Sequence, residues 1–288
     1  MPLHALPEND LREHCKRALE SLEHWLRRLI DQQLREAYGS DYLNTQRADG
    51  SRVIRSDIAR VLIERSQSDS TRYPRPIDAA LLDDLVTIIC NPELYREHFR
   101  APLQDAFENN ATARNYLGRL APPRNALSHT NPISVHDAHR VLCYSLDVIE
   151  ALKAHYRRVG LNQKFNAPTI IRVTDSLGHV VHIAGDRMHG AVLDFTNVAS
   201  AHLRCGDTLS IEVEVDPSFS SADYEIRWTI ANIGGDQQNG PRFTLPLTER
   251  QVGARLTLVC WVKSQAKWHK LGNFDDQLDV SYRVLPPP

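Results

Sequence analysis

From about Asn9 to Tyr38 the apolar residues return every three or four positions. Leu11, Cys15, Leu19 or Leu22, Leu26, Leu29 or Ile30, and Leu34 make one stripe, which predicts a long amphipathic helix. Gly39 ends it, as a residue tolerant of positive φ should. The rhythm continues over residues 53–66, from about Pro76 to Cys90, and from about Asn91 to Arg119, where Pro102 is a candidate break. Ser134 reads as an N-cap with Asp137 three positions on. From Val135 to Tyr156, Val141, Leu142, Leu146, Ile149, Leu152 and Lys153 keep helical spacing. The first part of the chain therefore reads as an all-α bundle.

The pattern changes near residue 160. Gly160 to Pro168 has no periodicity and reads as a linker. Alternation follows, over 170–173, 179–183, 209–215, 224–230, 256–262 and 278–284. Turn residues separate these runs: Gly206-Asp207, Gly234-Gly235 and Asn239-Gly240. Roughly six or seven short strands with no helix between them predict an antiparallel sandwich. Trp228 and Trp261 are its expected core-facing anchors. The pattern resembles an immunoglobulin-like domain, although Cys205 precedes its strand instead of sitting in the middle of it. The expected organisation is an α-helical domain over 1–160, a linker over 161–168 and a β-sandwich over 169–288.

Composition narrows the setting. With 42% hydrophobic and 24% charged residues, the chain has the balance of a soluble globular protein. No apolar run approaches the roughly 20 residues of a membrane helix, and the start Met1-Pro2-Leu3-His4 lacks a secretory pattern. Its five cysteines are scattered without a C-x-x-C pair, which predicts reduced thiols and a cytoplasmic location. Residues 1–160 hold 22 Lys plus Arg against 22 Asp plus Glu. Non-specific nucleic-acid affinity should accordingly be local and modest. The basic pairs Lys16-Arg17, Arg27-Arg28 and Arg157-Arg158 read as solvated helix faces.

Against this background Arg124-Asn125-Ala126-Leu127-Ser128-His129 stands out. Pro122 and Pro123 precede it and Thr130-Asn131-Pro132 closes it, which predicts a short bounded helical turn. Residues three to five apart lie on neighbouring faces, so Arg124, Asn125 and His129 can edge one groove. Arg brings a rigid fork that fits phosphate, and His exchanges protons near neutral pH. Together they suit binding or cleavage of an RNA phosphodiester. The purely structural alternative is an Arg124 that satisfies helix carbonyls and a His129 half-buried at a helix end.

An Arg, a polar residue and a His a few positions on, between two helices of an all-α unit, resemble the signature of the HEPN superfamily. The stretch Asn131-Pro-Ile-Ser-Val-His-Asp-Ala-His-Arg-Val-Leu and the opening Trp25 to Tyr42 resemble one group within it, which includes a module of a yeast RNA-surveillance endoribonuclease and bacterial relatives. The resemblance covers roughly residues 8–158 and implies a metal-independent, cofactor-free endoribonuclease acting as a homodimer with a composite cleft. It implies that His129 serves as base on the ribose 2′-hydroxyl or as acid on the leaving oxygen. Arg124 would stabilise charge on the phosphate, and Asn125 would orient one of these groups. Ser128, His136 and His139 would line the RNA groove. A 2′,3′-cyclic phosphate product follows, and DNA is excluded for want of the 2′-hydroxyl.

Other readings stay open. His136, His139 and Cys143 share a helix face and are zinc-ligand types, but no fourth ligand is evident and no metal is assigned. There is no Walker loop, G-x-S-x-G or H-E-x-x-H. Some members of the superfamily do not cut RNA, so the alternative is a non-catalytic dimerisation or RNA-binding adaptor. The β domain shows no catalytic pattern and is expected to bind a protein partner or trigger. A nuclease half under such control would fit a bacterial toxin or antiphage effector.

Overall fold

Helix α1 (Glu8–Tyr38) forms where the apolar stripe predicts it. Glu8 and Asp10 in its first turn complement the positive end of the helix dipole. Gly39, at φ 83°, ends it and donates its N–H to the Arg35 carbonyl. Leu11, Cys15, Leu19, Leu22, Leu26, Leu29 and Leu34 are all buried. The computed structural model describes residues 3–70, 72–129, 131–183, 189–231 and 237–287. Thr130 and the turn expected at Gly234-Gly235 lie outside them. The chain divides into two units, Met1–Leu161 and Asn162–Pro288, helical first and β second.

Around α1 the first unit places α2 (Ser56–Ser68), a 3-10 turn (Pro76–Ala79) and α3 (Leu82–Ile89). The helical stretch read over 91–119, with Pro102 as its candidate break, is divided. It comprises α4 (Pro92–Leu94), a π-helical turn (Tyr95–Phe99), α5 (Arg100–Leu103) and, after a gap, α6 (Asn110–Gly118). Pro102 explains the break, because it cannot donate to the His98 carbonyl and its ring crowds that position. The chain widens just before it, with the Arg100 N–H bonding the Tyr95 carbonyl five residues back. Asn109 restarts the helix, its side chain accepting from the Thr112 N–H at 3.0 Å. Helix α7 (Ala121–Ser128) and helix α8 (Val135–Arg158) complete the unit. Ser134 caps α8 through the Asp137 N–H at 3.0 Å.

A buried carboxylate ties α1 to its surroundings. Asp31 accepts from the Tyr42 hydroxyl, from Arg35 and from Arg75, each at 3.0 Å. Buried charges persist only with such partners. The negative charge and the burial together push the Tyr42 hydroxyl well above the usual phenol range, burial contributing most.

The second unit begins with a one-turn helix α9 (Asn162–Phe165), inside the stretch read as linker. Its strands are β1 (Ile170–Asp175), β2 (Val180–His182), β3 (Ala191–Asp194), β4 (Leu203–Arg204) and β5 (Thr208–Val215). They continue as β6 (Tyr224–Ile230), β7 (Gln237–Asn239), β8 (Arg242–Pro246), β9 (Gly253–Ser264) and β10 (Asp276–Leu285). One sheet has the order β2-β1-β5-β8 and the other β3-β10-β9-β6-β7, with β4 also on β10. Among the described residues the pairings are antiparallel except β3–β10 and β4–β10, which run parallel. Apolar residues of both sheets, including Val173, Ile211, Phe243, Trp228, Leu258 and Val280, form one core, so the unit is a β-sandwich.

Trp228 is an anchor of that core. Its ring lies 5.6 Å from Phe243 and its Nε1–H donates to the Gly240 carbonyl at 3.1 Å. Trp261 is not core-facing, contrary to the sequence-based expectation. Cys260 and Val262 on β9 are buried, so the two-residue period turns Trp261 to the opposite, partly exposed face. Among the described residues no helix is long and apolar enough to cross a membrane.

Candidate functional site

The candidate site is built on α7, one of the shortest helices of the first unit. Pro122 and Pro123 occupy its first turn, where a missing N–H costs nothing. Pro123 and Leu127, four residues apart, are buried and seat the helix. The remaining positions follow from the 100° step per residue. Arg124 falls on the flank beside the buried stripe, and Asn125 and His129 fall on the side away from it. Asn125, Ser128 and His129 are exposed, while Arg124 is half-buried.

Arg124 reaches α1, its Nε–H donating to the Glu23 carboxylate at 3.3 Å. Glu23 is itself buried and also accepts from Arg27 at 2.6 Å. Arg27 in turn is fixed by donating twice to the Ala80 carbonyl, at 2.9 and 2.6 Å. The carboxylate therefore spans two guanidinium groups on neighbouring helices. Arg124 makes no other side-chain hydrogen bond among the described residues, so its two terminal nitrogens have no acceptor there. A guanidinium held at Nε with its Nη edge available is arranged to receive a bidentate oxyanion.

The rest of the motif is held by its backbone. The Ser128 hydroxyl donates to the Arg124 carbonyl at 3.0 Å, and the His129 N–H donates to the Asn125 carbonyl at 3.1 Å. Beyond the helix the Asn131 N–H returns to the Ala126 carbonyl at 2.9 Å, and the Arg12 guanidinium binds the Asn131 carbonyl. Glu23 thus meets residue 124 while Arg12 meets residue 131, so the motif segment runs opposite to α1. That placement sets Asn125 and His129 together on the exposed face and Arg124 on the adjoining flank.

His136 and His139 lie on the first two turns of α8 and both are exposed. The His136 Nε2 is 2.8 Å from Arg140, which also holds Asp137 at 2.8 Å. A cation on that nitrogen disfavours His136 as a metal ligand. Among the described residues no group of three or more His, Cys, Asp or Glu is placed to hold a metal ion. Cys143 and Leu146 continue the same exposed stripe, Leu146 at 58% exposure.

Glu23 is the site residue that the sequence reading did not select. A signal was present, since Glu23 and Arg27 form an i, i+4 pair in the middle of an amphipathic helix. No family model matches this chain, and no curated protein matches it. One solved structure that it resembles is the extracellular domain assigned to a one-component system of B. thetaiotaomicron. The likeness has a TM-score of 0.26 and 12% identity, and covers 42% of this chain and 16% of that chain.

Proposed function

We propose that the helical unit is a metal-independent endoribonuclease of HEPN type, with Arg124, Asn125 and His129 at its centre. The observation that carries this reading is the state of Arg124. Glu23 fixes it through Nε and leaves its terminal nitrogens for a phosphate. Asn125 and His129 share an exposed face next to it, where a proton-transfer group and an orienting amide can meet RNA. In the mechanism, His129 takes the proton from the ribose 2′-hydroxyl or gives one to the departing 5′-oxygen. Arg124 stabilises the charge gathering on the phosphorus-bound oxygens. The 2′-oxygen bonds to phosphorus as the P–O5′ bond breaks, leaving a 2′,3′-cyclic phosphate and a 5′-hydroxyl. Ser128, His136 and His139 contact the neighbouring nucleotides. The exposed motif face of a second copy completes the cleft, making the working form a homodimer.

A second reading is supported by the same contact. Glu23 offsets part of the Arg124 charge, which favours a non-catalytic adaptor that dimerises through its helices and binds protein through an immunoglobulin-like β unit. RNA cleavage by the purified protein in excess chelator, compared with Arg124→Ala and His129→Ala, decides between them. Cleavage that survives chelation, ends in a cyclic phosphate and is lost in both variants supports the nuclease. A folded dimer that leaves tRNA, rRNA and mRNA intact supports the adaptor.

A further inference from the structure

The outer face of the second sheet carries side chains that the sandwich core does not use. Cys260 and Val262 on β9 are buried in the core, so Trp261 and Lys263 stand on the opposite face. The strand register extends this row, with Arg227 of β6 beside Trp261 on one side and Gln277 of β10 on the other. Beyond Lys263 the chain leaves the sheet and returns through Phe274, whose ring centroid lies 6.3 Å from that of Trp261. Both rings are partly exposed. Two carboxylates share the face and each has a partner. Glu225 accepts from Arg227 at 3.1 Å, and Asp279 accepts from the Gln277 side chain at 2.7 Å.

The loop between β9 and β10 is fixed from within. Asp275 is fully buried, accepts from the Ser264 and Lys270 N–H groups at 2.6 and 3.3 Å, and lies 3.2 Å from the His269 Nδ1. Gln265 ties the loop to the segment before β6, its N–H donating to the Asp223 carbonyl at 3.0 Å and its side chain to the Ala222 carbonyl at 2.9 Å. On this anchored loop Trp268 stands 38% exposed, with the exposed Lys267 next to it. An indole held open to water on a fixed loop is placed to be covered by a partner. Charge says which kind. Residues 161–288 hold 12 Lys plus Arg against 14 Asp plus Glu, yet the stretch from Trp261 to Phe274 has three lysines and no carboxylate. Lys263 and Lys267 form no ion pair among the described residues.

We propose that this surface, Trp261, Phe274 and Trp268 with Lys263 and Lys267, binds single-stranded nucleic acid. Bases stack on the aromatic rings while the two unpaired lysines follow the phosphates. Such a platform tolerates any sequence, because every base has a π-face. A duplex keeps its bases stacked on one another and cannot offer them. The helical unit balances 22 cations with 22 anions over residues 1–160, so it supplies little general affinity of its own. The inference concerns binding alone and stands whether or not Arg124 and His129 cut RNA.

Of the four tryptophans, Trp25 and Trp228 are fully buried, so quenching of intrinsic fluorescence on binding reports Trp261 and Trp268. The test is titration of the full chain at low salt with an oligodeoxythymidylate of about twelve nucleotides, within the span of one such platform. This probe stacks and carries phosphates, yet it lacks the 2′-hydroxyl that the proposed cleavage needs, so the result does not depend on the nuclease reading. It should quench the fluorescence with a dissociation constant below about 100 μM, and bind more weakly as salt rises. Trp268→Ala should weaken binding by at least about fivefold, the low end for one stacked base. The double variant Lys263→Glu/Lys267→Glu should weaken it by at least about tenfold. Both variants alter exposed side chains and should keep the circular dichroism of wild type. The proposal is overturned if the oligonucleotide fails to bind, binds without quenching, or binds either folded variant like wild type. It is overturned equally if a duplex of the same length quenches as strongly, or if maltohexaose, a neutral glycan, quenches and the oligonucleotide does not displace it.

Discussion

The Nε of Arg124 lies 3.3 Å from the carboxylate of Glu23, a partner 101 residues earlier in the chain. Because Glu23 also holds Arg27, one buried carboxylate sets the position of α7 against α1. Glu23→Gln keeps the shape and removes the charge. It should lower the unfolding free energy by about 1–3 kcal/mol, the cost of weakening charged hydrogen bonds in a half-buried setting. On the nuclease reading it should also reduce cleavage by about 10- to 100-fold, because a displaced Arg124 no longer meets the phosphate in line. Urea denaturation reads the first effect. Turnover reads the second.

The thiols separate by environment. Cys15 and Cys90 are buried, and burial pushes each thiol up to about 11. Cys260 is raised well above the ordinary thiol value by burial, with the Asp276 charge adding to it. Thiolate is the reactive form, so these three should be inert in the folded protein. Cys143 is exposed and Cys205 partly so. Iodoacetamide under native conditions should label Cys143 first and Cys205 more slowly, with Cys15, Cys90 and Cys260 modified only in denaturant. Peptide mass mapping checks the order, and early labelling of Cys15 would contradict the packing of α1.

Two histidines make the helical unit sensitive to mild acid. His155 is pulled below the ordinary value of 6.5 by burial and then by the Arg158 charge, and His98 by burial first and the Arg47 charge last. Both are thus favoured as neutral rings in the fold, and His98 lies 3.0 Å from the Tyr38 hydroxyl. For a depressed folded value the unfolded chain takes up protons first. Stability is therefore complete above about pH 6.5 and falls as the pH drops through the lower folded value. The melting temperature should decline between pH 7.5 and 5.5, and His155→Gln should flatten that slope even if it lowers the plateau. A pH-independent melting temperature across this range would sink the idea.

What could be read from the sequence follows from the range of each signal. The α1 stripe, its stop at Gly39, the Ser134 cap and the alternation of β5, β6, β9 and β10 all depend on neighbours a few residues away. The division into a helical part and a β part needed only the change of period near residue 160. The π-helical turn was hidden because Pro102 announces a break without saying how the chain absorbs it. Strands β3, β4 and β7 are two to four residues long, too short to show a firm alternation, whereas β8 alternates around Phe243 and Leu245 and is absent from the sequence reading. Trp261 falls out of phase with the buried Cys260 and Val262, so its place in the two-residue period, and not its aromatic character, sets its face. The Glu23–Arg124 contact depends on residues 101 positions apart that only folding brings together.

The same limit holds for a network that closes the β-sandwich. Asp175, at the end of β1, accepts from the Leu177 and His179 N–H groups at 3.0 and 2.9 Å, which shapes the β1–β2 turn. Its second oxygen lies 2.7 Å from the His179 Nδ1 and accepts from the Tyr282 hydroxyl at 2.9 Å. Tyr282 belongs to β10, in the other sheet, so this hydrogen bond is a polar tie across the core. Burial and the Asp175 charge together drive the Tyr282 hydroxyl well above the usual phenol range. The hydroxyl therefore stays protonated and donating at neutral pH. Tyr282→Phe keeps the ring stacked 5.4 Å from Phe195 and deletes only the donor. The variant should lose about 1–3 kcal/mol of stability, the range for a charged hydrogen bond removed with its acceptor left buried. Asp175→Asn should cost a comparable amount through the turn. If the tie is direct, the double variant should cost less than the two single losses added together, since both remove the same bond. Strict additivity in urea denaturation would show that Asp175 stabilises the turn alone and that the sheets are held by apolar packing.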